Sequence, residues 1–207
     1  MKMPFSKASE IYHKRIVNVT SDDVMRMKTK LFYNGLDPKI IGKANFDLAA
    51  SSAALCEKNR EAKLGMIVNG NNGTGKTTFV EAYLEAHYPK SWIYKFDLKR
   101  PECAFQLNPE NEGLPIDSSS VVFLDDWGCE APLSCFGVKR EVVFEFILYY
   151  FQRSSYPLFI TTNMSGEEIT QRYARQFDKV KEFLVPVKFE GDSLRPWIIP
   201  ERSRDGE

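Results

Sequence analysis

One short stretch constrains the fold more than any other: a glycine-rich turn between an apolar run and a helical pattern. The apolar run is residues 64–69, the turn reads Gly70-Asn-Asn-Gly-Thr-Gly-Lys-Thr77, and residues 76–88 have helical spacing. Glycines adopt backbone conformations closed to other residues, so main-chain amides can approach an anion at the start of the helix. In a strand–turn–helix context, the Gly-x-x-x-x-Gly-Lys-Thr spacing therefore predicts a phosphate-binding loop, or P-loop.

The polar side chains of such a loop have expected roles. Lys76 is predicted to reach the β- and γ-phosphates of a nucleotide, and Thr77 is predicted to coordinate Mg²⁺. The rest of the loop is predicted to surround the phosphates with main-chain N–H groups. These positions are Gly70, Asn71, Asn72, Gly73, Thr74, Gly75 and Thr78. ATP and Mg²⁺ are therefore the expected cofactors.

An almost wholly apolar stretch, residues 119–126, ends in two acids, Asp125 and Asp126. Uninterrupted apolar runs are typical of buried parallel strands. Because open α/β sheets bind ligands beyond the carboxyl ends of their strands, both acids are predicted to lie beside the P-loop. Asp125 is expected to hold Mg²⁺, largely through water, and Asp126 is expected to polarise the attacking water.

Another apolar stretch, Leu158-Phe-Ile-Thr-Thr162, ends in Asn163. An amide at the tip of a strand beside the acidic one can hold a water near the γ-phosphate, and such positioning carries much of phosphoryl transfer. Taken alone, an asparagine after a strand is more often a turn residue. Together with the two preceding motifs, the catalytic interpretation of Asn163 is favoured.

The remaining sequence alternates between helical and strand-like segments. Helices are predicted from residue 21 to about residue 33 and over residues 45–63, 76–88, 138–153 and 167–180. Strands are predicted over residues 64–69, 92–96, 119–126, 158–162 and 183–189, with a surface loop over residues 100–118. Strands that alternate with helices indicate an α/β fold with a parallel sheet, here of five strands flanked by helices. The helix over residues 138–153 is apolar on most faces, so it is expected to be sandwiched between layers.

The order of these motifs resembles that of the AAA+ ATPases of the DnaC/IstB type, which are replicative helicase loaders and transposition helpers. The resemblance covers roughly residues 45–195. Its more specific parts are the Asp-Asp pair at the end of the acidic strand and the Thr-Thr-Asn sequence that ends at Asn163. It implies a P-loop NTPase with an AAA+ core over residues 45–200. A short helical N-terminal segment, residues 1–44, and a charged tail, residues 201–207, complete the expected organisation.

The resemblance also implies roles for basic residues near the C-terminus. Residues 175–180 resemble the segment that holds the family's trans-acting arginine finger, and Lys179 stands at the finger position. A lysine keeps the charge but loses the bidentate fork, so Arg175 or Arg172 is an alternative finger. A solvated helix charge is an equally good interpretation of Arg172 and Lys179. Gly191-Asp-Ser-Leu-Arg195 resembles the closing Gly-x-x-x-Arg, whose arginine senses nucleotide.

By this resemblance, the expected function is slow ATP hydrolysis, stimulated by assembly or a partner, by a cytoplasmic helicase loader in DNA replication. The expected partners are a replicative helicase, single-stranded DNA and further copies of the chain in a nucleotide-dependent homo-oligomer. Three alternatives stay open. They are an IstB-like transposition helper that binds DNA, a nucleotide-gated scaffold that barely cleaves ATP, and a viral superfamily 3-like helicase. The last is the least favoured, because residues 138–153 lack the lysine-bearing hairpin motif of those helicases.

Composition sets further bounds. The formal net charge is zero, so a surface for nucleic acid would have to be local. No apolar run approaches the roughly 20 residues that cross a membrane, and no membrane partner is expected. The cysteines have neither metal-type nor redox-type spacing, which favours a reduced intracellular protein over a zinc site. They are Cys56, Cys103, Cys129 and Cys135.

Two groups of residues have open interpretations. Apolar side chains in the N-terminal segment belong either to a partner-binding face or to the core, because helical spacing cannot separate the two. They are Met25, Met27, Leu31, Phe32 and Tyr33. Basic and aromatic residues interleave over residues 92–100, as in single-strand binding surfaces. Their aromatic residues alternate like one face of a strand, which favours the core instead.

Overall fold

The computed structural model describes residues 16–108, 120–130, 133–135, 138–191 and 193. The helices are α1 (Ser21–Tyr33), α2 (Pro38–Ile41), α3 (Lys43–Lys58), α4 (Lys76–His87), α5 (Pro101–Gln106), α6 (Val142–Arg153) and α7 (Gly166–Phe177). The strands are β1 (Gly65–Gly70), β2 (Ile93–Asp97), β3 (Val121–Trp127), β4 (Leu133–Cys135), β5 (Val138–Arg140), β6 (Leu158–Thr162) and β7 (Leu184–Phe189). Short 3₁₀ turns lie at Arg60–Ala62, Lys90–Trp92 and Lys181–Phe183.

Five of the strands form one sheet in the order β2-β3-β6-β1-β7, and each neighbouring pair is parallel. Strands β3 and β6 are buried along their whole length, which explains why their sequences are apolar rather than alternating. The predicted α/β fold with a five-stranded parallel sheet is therefore confirmed. The sheet order places β1, β3 and β6 side by side in the middle, so the turns that follow these strands meet at one edge.

Helices cover both faces of this sheet. Helices α1, α3 and α4 pack on the face that carries Phe123 and Phe159, while α6 and α7 pack on the face that carries Leu124 and Ile160. Successive strand residues point to opposite faces, so one strand supplies both cores. The predicted sandwiching of α6 is confirmed, because Phe144 on α6 stacks on Tyr173 of α7 with ring centroids 4.4 Å apart.

Helix α1 belongs to the first of these cores. It begins with a capping box, in which Thr20 and Asp23 bond each other's main chain. Met27 and Leu31 are fully buried against α3 and α4, whereas Met25, Phe32 and Tyr33 are exposed. The core interpretation is therefore correct for two of the five apolar residues of this segment, and three remain available at the surface.

Two predicted elements differ from the structure. The predicted loop over residues 100–118 contains helix α5, which starts at Pro101 because proline suits the first turn of a helix; residues 109–119 lie outside the described residues. The helix predicted from residue 138 begins at Val142 instead, because residues 138–140 pair antiparallel with β4 as a small hairpin. Each strand of this hairpin has only three residues, which is too short for the alternation of apolar and polar residues to identify a strand.

Candidate functional site

The glycine-rich turn connects β1 to α4 as the sequence predicts, and close backbone packing explains its glycines. A Cβ atom added at Gly70 would lie 2.4 Å from the carbonyl oxygen of Phe189 on the neighbouring strand. Gly75 caps α4 with a φ of +88°, in the region that side-chain-bearing residues rarely adopt. The turn therefore curls tightly around the start of α4, where the helix presents unpaired N–H groups to an anion.

Lys76 lies at the centre of the site and is only 5% exposed. Its ammonium donates to the carbonyl oxygens of Gly70 at 2.9 Å and Asn71 at 2.8 Å, and to Oδ1 of Asn163 at 2.9 Å. These bonds use all three of its hydrogens. Burial lowers the pKa of Lys76, while the nearby carboxylate of Asp126 acts in the opposite direction. The structure thus joins the first and third predicted motifs directly.

Asp125 is also buried at this edge of the sheet. Its Oδ1 accepts hydrogen bonds from the hydroxyl of Thr77 at 2.8 Å and from the hydroxyl of Thr161 at 2.6 Å. Its Oδ2 lies 3.1 Å from the ammonium of Lys95. The two residues predicted to hold Mg²⁺, Thr77 and Asp125, are therefore neighbours. Hydroxyl and carboxylate oxygens of this kind are the ligands that Mg²⁺ prefers.

Asp126 adopts an unusual backbone conformation, with a φ of +61° at the point where the pairing of β3 with β6 shifts register. Its main-chain N–H donates to Oγ1 of Thr161 at 2.9 Å, and this bond holds the distorted turn in place. Its Oδ1 faces the side-chain amide of Asn163 at 3.5 Å. Backbone strain in a non-glycine residue is often found at functional sites, where the surroundings hold it.

Sequence reasoning missed the side chains that neutralise and hold these acids. Lys95 bridges Asp125 and Glu81, and Lys99 pairs with Asp126. Both lysines lie in residues 92–100, a segment considered above as a surface for single-stranded DNA. Nothing in the sequence indicates that they contact the carboxylates. The signal that could have found Lys95 is its register, since it lies on β2 two residues before the position opposite Asp125. No sequence signal points to the role of Thr161.

A cavity of about 200 Å³ lies between the glycine-rich turn, Lys99 and Asp126. Its lining is Asn72, Gly73, Thr74, Gly75, Lys76, Thr77, Thr78, Lys99 and Asp126. Two lysines and the start of a helix give it positive potential, and one acid stands at its edge. This arrangement fits a chain of phosphate groups.

A second cavity of about 360 Å³ adjoins the first through Thr74. Its lining is Lys39, Ile40, Ile41, Gly42, Lys43, Ala44, Asn45, Thr74, Glu190 and Gly191. The side chain of Asn45 joins its walls, because it donates to the carbonyl of Glu190 at 2.8 Å and accepts from the N–H of Glu190 at 3.0 Å. Sequence reasoning missed this cavity, since it placed residues 1–44 outside the core.

Two of the basic residues expected to act between subunits, Arg172 and Lys179, are not part of either cavity lining. Arg172 on α7 forms a bidentate ion pair with Glu141, with its closest contact at 2.7 Å. Lys179 is exposed and has no hydrogen bond or ion pair within the described part of the chain. The side chain of Arg175 and all of Arg195 lie outside the described residues. The roles assigned to these residues stay predictions.

Two searches of the described residues bear on other kinds of site. Across residues 16–108, 120–130 and 138–191, no group of three or more histidine, cysteine, aspartate or glutamate side chains could hold a metal ion. Within the same part of the chain, none of the helices is both long and apolar enough to cross a membrane.

Comparison with known proteins finds solved structures with a similar fold. No protein-family model matches the sequence, and no curated protein matches it. A crystal structure of the DnaC helicase loader matches with a TM-score of 0.55 and 24% identity, over 70% of this chain and 90% of that one. A closed-state reconstruction of Hsp104 with ATPγS and casein matches with a TM-score of 0.51 and 12% identity, over 89% of this chain and 38% of that one.

An extended S. cerevisiae Hsp104–casein complex matches with a TM-score of 0.52 and 13% identity, over 97% of this chain and 43% of that one. This chain therefore spans less than half of each Hsp104 chain. At these identities the likeness concerns the fold, and it agrees with the resemblance that the three sequence motifs carry. The chain has an α/β fold with a five-stranded parallel sheet flanked by helices, and it shares this fold with the DnaC helicase loader.

Proposed function

We propose that this chain binds ATP with Mg²⁺ in the two adjoining cavities and hydrolyses it. One observation carries the proposal: Lys76, Asn163 and Asp126 meet around a cavity lined by the glycine-rich turn. The sheet order brings these three turns together, but the fold does not require a lysine, an amide and an acid at these positions. Phosphate transfer requires these groups together, for charge, for water positioning and for water activation.

Each residue has a role in binding. The main-chain N–H groups of the turn and the ammonium of Lys76 hold the phosphates, and the ammonium exchanges its carbonyl partners for phosphate oxygens. Thr77 and Asp125 would hold Mg²⁺, which would supply positive charge against the phosphates. The second cavity takes the nucleobase, because Ile40, Ile41 and Ala44 give it apolar walls for a flat ring.

The proposed hydrolysis uses Asp126 and Asn163, which lie next to each other at the cavity. Asp126 accepts a hydrogen bond from a water that Asn163 orients, and the water oxygen forms a bond to the γ-phosphorus. The bond from that phosphorus to the β–γ bridging oxygen breaks, and its electron pair stays on ADP. The proton of the water passes to Asp126 and then to solvent. Asp126 is held for this role by its strained turn and by Thr161.

We further propose that the chain works as a helicase loader in DNA replication. Support comes from the match to the DnaC helicase loader, 90% of which this chain covers, and from the resemblance of the three sequence motifs to those of the DnaC/IstB type. Met25, Phe32 and Tyr33 on α1 give the N-terminal segment an apolar surface for the helicase. Lys179 is exposed, so it can reach the nucleotide of a neighbouring copy. Arg175 and Arg195 keep their proposed roles as alternative finger and nucleotide sensor.

ATP turnover by the full chain and by Asp126→Asn tests the enzymatic part. The variant keeps the shape of the side chain but accepts a proton poorly. We expect it to bind ATP within a few-fold of the parent and to lose roughly 10²- to 10⁴-fold in turnover, the usual contribution of a general base. Equal turnover by both proteins would contradict the role of Asp126.

Mass photometry with ATP and Mg²⁺, with and without single-stranded DNA, tests the assembly. We expect a larger oligomer to form with nucleotide, and Lys179→Ala to assemble but turn over ATP more slowly. Lys181→Ala is the matched control, because Lys181 is also exposed in this segment but is paired with Asp178 at 2.7 Å. If the chain stays monomeric with ATP and Mg²⁺, Lys179 cannot act on the nucleotide of a neighbouring copy. Capture of the host's replicative helicase separates a loader from a transposition helper, which binds double-stranded DNA without it.

A nucleotide-gated scaffold is a second candidate, because each acid of the site has a lysine partner in this structure. Lys95 lies beside Asp125, and Lys99 lies beside Asp126. If these pairs persist with nucleotide bound, Asp126 cannot activate water. Tight ATP binding without turnover, both with and without single-stranded DNA, would favour this candidate over the enzyme.

A further inference from the structure

Lys99 reaches into the phosphate cavity from outside the three motifs. It follows β2, whereas the cavity is otherwise formed by the glycine-rich turn and the end of β3. Its ammonium contacts Oδ2 of Asp126, the carboxylate oxygen turned away from Asn163. The cavity therefore has one lysine on each side, Lys76 next to Asn163 and Lys99 next to Asp126.

The backbone beneath Lys99 is held in place. The preceding residue, Leu98, is fully buried, and its N–H donates to the carbonyl of Asp125 at 2.9 Å. The N–H of Lys99 donates to Oδ1 of Asp97 at 3.2 Å, and the N–H of Arg100 donates to the carbonyl of Asp97 at 3.0 Å. Helix α5 follows directly. This turn is pinned to the strand that bears the acids, so it fixes where the lysine side chain starts.

The side chain itself can move. It is 49% exposed, and its flexible four-carbon stem carries a compact charge that can change partners. Lys76, by contrast, is almost fully buried. An ammonium that pairs with Asp126 also competes with any water for that carboxylate. The pairing is therefore suited to a cavity without phosphate and opposes the role of Asp126 in hydrolysis.

We propose that Lys99 is a second phosphate-binding lysine, which pairs with Asp126 in the free protein and moves to the terminal phosphate of a nucleoside triphosphate, leaving Asp126 free to bind water. The inference rests on the proposed function, since it requires ATP in this cavity. It predicts that the chain distinguishes ATP from ADP with its own residues, before a neighbouring copy contributes. ADP has no terminal phosphate at this position, so Lys99 stays on Asp126.

The affinities for ADP and for a non-hydrolysable ATP analogue, measured by calorimetry on the full chain with Mg²⁺, test the inference. Lys99→Met is expected to weaken binding of the analogue about 10- to 100-fold, the value of one hydrogen bond between charged groups. Its affinity for ADP is expected to stay within about threefold. Lys99→Arg is expected to restore most of the loss. Arg100→Gln is the matched control, because it removes a cation of the same turn that does not line the cavity.

The same measurement with Asp126→Asn separates contact with phosphate from simple neutralisation. If Lys99 binds the phosphate, Lys99→Met lowers the affinity for the analogue in the Asp126→Asn protein as well. If the loss disappears there, the lysine serves only to neutralise the acid, and the inference is wrong. An unchanged ratio of analogue to ADP affinity in Lys99→Met also overturns it, while the proposed function stands. Failure of the parent chain to bind either nucleotide overturns both.

Discussion

Replacing Thr161 with valine removes one buried hydroxyl and keeps the shape of the side chain. That hydroxyl donates to Oδ1 of Asp125 at 2.6 Å and accepts from the N–H of Asp126 at 2.9 Å, and Thr161 is fully buried. The variant leaves the N–H of Asp126 without its partner, which costs about 1–3 kcal/mol. It also removes a hydrogen bond to a carboxylate, worth about 1.5–3 kcal/mol.

The two losses do not add fully, because Asp125 keeps its bonds to Thr77 and Lys95. We expect Thr161→Val to lower the free energy of unfolding by roughly 2–4 kcal/mol. For a chain of this length, that corresponds to a fall in melting temperature of roughly 4–16 °C. Urea denaturation followed by circular dichroism measures the first quantity directly.

Thr29→Val is the matched control, because Thr29 is exposed on α1 and its hydroxyl bonds only its own helix. Its unfolding free energy is expected to change by less than about 0.5 kcal/mol. If Thr161→Val is as stable as this control, the hydroxyl does not hold the acidic turn. The variant should also bind ATP more weakly, because the positive-φ turn at Asp126 loses its support.

Three further perturbations have expected outcomes. Gly70→Ala should destabilise the fold by at least about 1–3 kcal/mol in urea denaturation, because its Cβ would lie 2.4 Å from the carbonyl oxygen of Phe189. Asn45→Ala should weaken ATP binding and cost about 1–3 kcal/mol of stability, since it leaves the end of β7 unpinned. Hydrogen bonds, chiefly from Lys58, hold the pKa of Asp23 below its usual range, so its stabilisation is present at pH 7 and is lost as the pH falls below about 4. The stability difference between the parent and Asp23→Asn should therefore shrink between pH 7 and about pH 3, as urea denaturation at both pH values will measure.

The parts of this molecule that could be predicted from sequence are those with a local signal. Buried parallel strands such as β3 and β6 are apolar runs, and a phosphate-binding turn needs glycines at fixed spacing. Because strand ends of an α/β sheet meet at one edge, Asp125 and Asn163 could be placed near Lys76 before any contact was known.

The remainder depends on contacts between distant segments. Helical spacing in α1 could not decide that Met27 lies in the core and Met25 at the surface, because both are apolar residues of the same helix. Lys99 was considered only as part of a surface for single-stranded DNA, because its contact with Asp126 depends on hydrogen bonds between the turn after β2 and β3. The second cavity could not be predicted, because Asn45 joins segments 145 residues apart.

Equilibrium binding of ATP with Mg²⁺ to the parent chain and to Lys76→Met, measured by calorimetry, tests the central claim most directly. The account predicts saturable binding by the parent, one nucleotide per chain. It predicts a loss of roughly 10- to 100-fold or more in the variant, because a buried ammonium contributes a charged hydrogen bond to phosphate. Equal affinity of both proteins for ATP, or no binding by the parent, would contradict the claim that this cavity is a nucleotide site.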